Sequence, residues 1–169
     1  MKVNLKMKNG QMKKNPPAIG KKILDEAIIS AISAYENAYV PLTNYSVGSC
    51  IITDEDELFA GCNVQSVISG LGTCAESSAI FHSVVHGKYN FKGIVVASKK
   101  AITPCGACLQ YLNEFAQVAG HDIRIIAVDL NKKIQKDTSL YSTIKNLYGP
   151  LDGKKDIKRY KKSENRKKK

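Results

Sequence analysis

The sequence predicts an α/β domain, a mixed β-sheet with helices packed on it. Three observations carry this. Segments with apolar residues at helical spacing alternate with short β-rich runs. The first two runs flank a four-acid turn and so read as an antiparallel hairpin. The run Ile94, Val95, Val96 is continuously apolar, as in a strand buried on both faces.

After Pro16 and Pro17, residues 18–39 place Ile19, Ile23, Ala27 and Ile28 at helical spacing, followed by Ala31 or Ile32, and Pro41 ends the segment. Residues 47–53 form the first strand, Asp54, Glu55, Asp56 and Glu57 a solvated turn, and residues 58–64 the second strand. Gly70 and Gly72 break the chain before Thr73, which reads as the N-cap of a helix over 74–86. Residues 93–98 are the buried strand. Pro104 opens a helix from Cys105 to about Ala119, with Leu109, Leu112 and Ala116 on one face and Gly120 as its stop. Residues 122–130 alternate as a strand, a weaker strand follows near Ile134, and residues 139–147 read as a last short helix. Strands joined through helices are expected to be parallel.

With 43% hydrophobic and 24% charged residues the chain reads as globular, and its apolar runs are too short to span a membrane. The formal charge of +11 is unevenly placed. Residues 1–22 carry seven Lys and no acid, and residues 153–169 carry ten Lys or Arg against two acids, so the body between them is net −4. Residues 1–17 therefore read as a basic extension, 18–150 as the folded domain, and 151–169 as a basic, disordered tail. Nucleic acid is a partner class only for the basic segments. The N-terminal stretch lacks the apolar region of a signal peptide, and it has neither Arg nor Ser, unlike a transit peptide; a cytoplasmic location is expected.

Five cysteines in such a chain read as metal-binding, catalytic or buried rather than disulfide-bonded. C-x-x-C alone is shared by metal sites, redox pairs and chance. Here Cys105 and Cys108 lie three apart at a helix start, and Cys74 opens another helix. Three thiolates can hold one zinc ion and leave its fourth position open, the mark of a catalytic site. Both helix ends favour thiolate. Glu76, two residues after Cys74, is placed to shuttle protons without being a ligand. C-A-E followed by P-C-x-x-C is the three-cysteine form of the zinc deaminase signature. His82 and His86, at i and i+4 without H-E-x-x-H, read as packing or surface, His121 as exposed, and Cys50 and Cys62 as small apolar residues.

The sequence resembles the cytidine deaminase family over about residues 20–150. Ala38-Tyr39-Val40-Pro41 and Tyr45-Ser46-Val47-Gly48 resemble A-Y-x-P-Y-S-x-F-x-V-G, Gly61-Cys62-Asn63-Val64-Gln65 resembles G-x-N-x-E, and Leu147-Tyr148-Gly149-Pro150 resembles A-F-G-P. The resemblance implies a three-layer α/β/α sandwich around a mixed five-stranded sheet, and a homotetramer whose sites are completed by neighbouring subunits, with a dimer as the alternative. It implies one zinc ion per subunit on Cys74, Cys105 and Cys108. It further implies a hydrolase acting on a cyclic amidine C–N bond, in which hydroxide attacks C4 of cytidine or deoxycytidine and Glu76 moves the proton, a step of pyrimidine salvage. Asn63 and Gln65 would meet the ribose and Tyr45 the base, Ala75 would be a further substrate-binding residue, and Tyr148 would reach a neighbouring subunit's site.

Four departures stand out. The family's ribose Glu is Gln65, a neutral amide that can still accept from a hydroxyl. The Arg after C-A-E is Ser77, the Arg after P-C-x-x-C is Leu109, and an aromatic before Cys74 is Ser69. With neither Arg, helix N-termini and backbone N–H groups are left to balance the thiolates. These changes resemble the blasticidin S deaminases. They admit two alternatives: a deaminase of another aminopyrimidine, such as a nucleoside antibiotic or a base within RNA or single-stranded DNA, and a non-catalytic zinc-stabilised RNA-binding protein.

Overall fold

The computed structural model describes residues 15–68, 70–153, 155, 157 and 160. The basic extension through residue 14, Ser69 and most of the tail beyond 153 lie outside the described residues.

The elements run α1 (Lys21–Glu36), β1 (Gly48–Thr53), β2 (Leu58–Cys62), α2 (Ala75–Val85), β3 (Phe91–Ala97), α3 (Gly106–Ala119), β4 (Arg124–Val128), β5 (Ile134–Ser139) and α4 (Leu140–Thr143). They build one five-stranded sheet in the order β2-β1-β3-β4-β5. β1 pairs antiparallel with β2 and β3, β3 and β4 are parallel, and β4 and β5 are antiparallel. β2 and β3, joined through α2, therefore run the same way with β1 between them, and β3 and β4, joined through α3, are parallel neighbours.

Strand alternation sorts the core into two layers. Ile51, Ile94, Val96 and Ile125 face α2 and α3, meeting Ala79, Ile80, Leu112 and Ala116. Cys50, Ile52, Val95, Ile126 and Val128 face α1 at Ala27, Ile28 and Ala31. The architecture is thus three-layered, α1 over one face of the sheet and α2 with α3 over the other. Two glycines set how closely the helices approach. A Cβ on Gly48 would stand 1.9 Å from the Ala31 carbonyl oxygen, and one on Gly61 would stand 2.3 Å from the Ala79 nitrogen. No side chain fits between sheet and helix at either point.

Three expectations are corrected. The helix expected over 139–147 is only α4, because Ser139 completes β5 and Ile144 turns extended. The chain beyond is strapped to α3: Gln110 exchanges hydrogen bonds with the Tyr148 backbone, and Gln117 bonds Asp152 at 3.0 Å and the Leu151 N–H at 2.8 Å. Parts of the segment expected to be disordered from residue 151 onward are packed, with Ile157 buried and Tyr160 against Tyr89 at 5.2 Å. His121 is buried, not exposed, with its Nε2 3.1 Å from both Asp54 carboxylate oxygens and its Nδ1 2.9 Å from the Asp122 carbonyl oxygen. The acidic turn is accordingly an ion-pair centre: Asp54 meets His121, Lys88 pairs with Glu55 and Glu57, and Lys92 pairs with Asp56.

Candidate metal centre

Cys74 and Cys105 are the N-caps of α2 and α3, and Cys108 lies in the first turn of α3. The cap of α2 is Cys74 rather than the expected Thr73, because Thr73 is held in a two-bond bridge with Val64. The bridge delivers Cys74 to the sheet end where α3 begins. The three sulfurs all lie within 4.8 Å of one another. Tetrahedral zinc with Zn–S bonds of about 2.3 Å holds its sulfurs about 3.8 Å apart. Modest adjustment seats the ion, so the donor set fits zinc.

Glu76, in the first turn of α2, is 5% exposed. Burial pushes its carboxyl above the ordinary carboxylate range, opposed by its own backbone N–H and by the Cys108 thiol, which it meets. A helix end lowers the thiol plainly at Cys105. There burial acts upward, but the N–H groups of Cys108 and Ala107 and the Cys108 thiol outweigh it and hold the thiol below its usual value. Cys74 and Cys108 are raised, first by burial and then by the charges of Glu76 and the neighbouring sulfurs. Three sulfurs and a buried carboxyl, crowded with no balancing charge among the described residues, are what a bound cation relieves.

Sequence reasoning missed one contributor. Ser77, read only as a lost Arg, places its hydroxyl 3.8 Å from the Cys108 sulfur, and a thiolate there would accept from it. The only sequence signal is its place directly after Glu76, in the turn that Cys74 caps. No hydrogen bond from Leu109 replaces the second Arg; its side chain is in the core.

The other expected site residues fall into three places. Asn63, Gln65 and Tyr45 share one wall. Asn63 Oδ1 accepts from the Val47 N–H at 2.9 Å, its Nδ2 donates to the Tyr45 carbonyl at 3.0 Å, and Gln65 bonds Leu42 and Thr43. Ala75 is fully buried in the core beside Glu76. Tyr148 is exposed, its backbone tied to Gln110, two residues past Cys108. Among the described residues His82 and His86 form no metal cluster: each Nδ1 bonds a backbone carbonyl, and both rings pack on Phe59. Cys50 is a buried apolar residue whose thiol burial pushes up to about 12.

The zinc-binding region of cytidine and deoxycytidylate deaminases matches residues 21–120. The chain belongs to this deaminase family. It is 34% identical over 132 residues to a probable cytidine deaminase of Dictyostelium discoideum, covering 76% of this chain and 86% of the relative. It is 32% identical over 113 residues to a cytidine deaminase of Halalkalibacterium halodurans, covering 66% and 83%. Among solved structures, the cytidine deaminase of Burkholderia pseudomallei superimposes with a TM-score of 0.66 at 29% identity, over 73% of this chain and 98% of that one. Family and fold therefore agree with the deaminase resemblance seen in the sequence. No helix among the described residues is long and apolar enough to cross a membrane.

Proposed function

We propose that this deaminase-family chain hydrolyses cytidine and deoxycytidine to the corresponding uridine and ammonia, with zinc on Cys74, Cys105 and Cys108. One observation carries the reading: a buried carboxyl, Glu76, stands beside three converging thiols at the joined N-termini of α2 and α3. Zinc, when bound there, supplies a Lewis acid that makes water nucleophilic near neutral pH. Glu76 takes the proton of the attacking water, delivers it to ring N3, and then carries a proton to the departing amine. Its burial suits this work, because a carboxyl above its usual range holds a proton closer to neutrality. The raised carboxyl thus acts as base and acid in turn. Tyr45 and the Ala75 backbone border the base, and the wall of Asn63 and Gln65 borders the sugar.

The oligomer is a homotetramer in this reading, with Tyr148 reaching a neighbouring site. Supporting it, Val67, Ile68, Leu71, Phe81 and Val85 are apolar and exposed. The five free cysteines fit a cytoplasmic, reducing location for pyrimidine salvage. Residues 1–17 and 151–169 flank the 18–150 catalytic domain as basic segments.

Purified protein carrying one zinc per chain converts cytidine to uridine with one ammonia released per turnover. No turnover in such zinc-loaded protein overturns the proposal. A second reading, deamination of cytosine within a polynucleotide, is favoured by the positive charge of the two flanks. It requires single-stranded RNA to outcompete free cytidine as substrate, with an affinity that falls steeply with salt.

A further inference from the structure

Gln65 makes three hydrogen bonds to one turn. Its Oε1 accepts from the Leu42 N–H at 3.1 Å and the Thr43 N–H at 3.2 Å, and its Nε2 donates to Thr43 Oγ1 at 2.7 Å. The amide orientation is forced, because two backbone donors can be met only by its oxygen. Both acceptor sites of Oε1 are thereby used. The expectation that this amide still accepts from a ribose hydroxyl fails on this count, and one N–H is all that Gln65 has left.

The bonds continue toward the site. Thr43 Oγ1, held by Gln65, also accepts from the Tyr45 N–H at 3.2 Å, while Asn63 takes the Tyr45 carbonyl and the Val47 N–H. Gln65 and Asn63 sit two residues apart on one extended segment. That segment is bridged to Thr73, directly before Cys74, through Val64. Asn44 within the turn has φ 52°, a left-handed conformation that asparagine adopts more readily than most residues.

Resting on the nucleoside deaminase reading, we infer that Gln65 is a positioning residue that sets Tyr45 through the Leu42–Thr43 turn and does not read the sugar. Gln65 therefore adds no discrimination between nucleosides with and without their 2′- and 3′-hydroxyls. This departs from a sugar-binding carboxylate, whose free oxygens would discriminate by accepting from those hydroxyls.

The test compares cytidine, deoxycytidine and 2′,3′-dideoxycytidine on zinc-loaded wild type, Gln65→Ala and Gln65→Glu, with amide hydrogen exchange of each protein measured without substrate. Gln65→Ala lowers kcat/KM about tenfold for all three alike and speeds exchange at Leu42, Thr43 and Tyr45. Gln65→Glu keeps the exchange protection, since a carboxylate accepts from the same two N–H groups and from the Thr43 hydroxyl. A Gln65→Ala penalty confined to cytidine and absent with dideoxycytidine overturns the inference, as does unchanged exchange at Leu42 and Thr43. If wild type turns over none of the three, the deaminase reading fails, while the exchange result still decides whether Gln65 fastens the turn.

Discussion

Substituting Gly61 by Ala tests whether the sheet sets the zinc site by fixing the height of α2. The added Cβ would stand 2.3 Å from the Ala79 nitrogen, 2.7 Å from the Ser78 carbonyl carbon and 2.8 Å from the Ala75 oxygen, all backbone atoms of α2. Restoring ordinary contact at about 3.4 Å moves the start of α2 by about 1 Å. Cys74 rides on that end while Cys105 and Cys108 ride on α3, so the shift changes the spacing of the three sulfurs. Metal sites tolerate only about 0.2 Å in ligand distance. Gly61→Ala should cost about 1–3 kcal/mol of stability in urea titration and weaken zinc about 10–100-fold in competition with a chelator. Gly93→Ala is the control. Its Cβ meets the end of the Ile19 side chain at 2.6 Å on the α1 face, away from the cysteines. It should lose some stability and keep zinc affinity within about twofold. Equal zinc affinity in Gly61→Ala and wild type, or equal weakening in the control, refutes the reasoning.

Three further outcomes are expected. Removing zinc with a chelator should lower the melting temperature, and adding zinc back at about 1,000 times its Kd should restore about 4 kcal/mol; an unchanged melting temperature would contradict a metal-bridged junction of α2 and α3. Arg124 Nε and Nη2 bind both Asp137 oxygens at 2.8 and 2.5 Å across β4 and β5, and that guanidinium holds the Asp137 carboxyl below its usual range. A depressed carboxylate contributes stability that is present above its unfolded value and lost as pH falls through the folded one. The Asp137→Asn variant should therefore match wild type in strong acid and fall behind by about 0.5 kcal/mol near neutrality, the pair being partly exposed; urea titrations at several pH values show it. Gly149→Ala drives a Cβ to 2.5 Å from the Gln117 amide, which must then release Asp152 or Leu151, and about 1–2 kcal/mol should be lost. Calorimetry checks the last.

Much of this was legible because it is local. α1, α2 and α3 end within three residues of where periodicity, proline and glycine place them, and Gly120 closes α3 with φ 80° as expected of a helix stop. The three cysteines and Glu76 were readable for the same reason, since spacing within a helix start fixes which side chains share an end. What escaped depends on partners far along the chain. His121 is buried because Asp54 waits 67 residues earlier. Gln65 is spent on a turn 22 residues before it, and only the folded chain shows that its oxygen is used. The last helix reads too long in the sequence because its end is set from outside it: Ile144 turns extended and Gln110, 38 residues before Tyr148, holds the backbone beyond.

The central claim is that Glu76 moves protons beside a metal held by three cysteines, and the Glu76→Gln variant tests it most directly. Metal analysis and cytidine turnover should be measured on the same preparation. The account predicts one zinc per chain, as in wild type, and a rate lower by about 10²–10⁴-fold. A Glu76→Gln protein that keeps its zinc and also keeps its rate would contradict it.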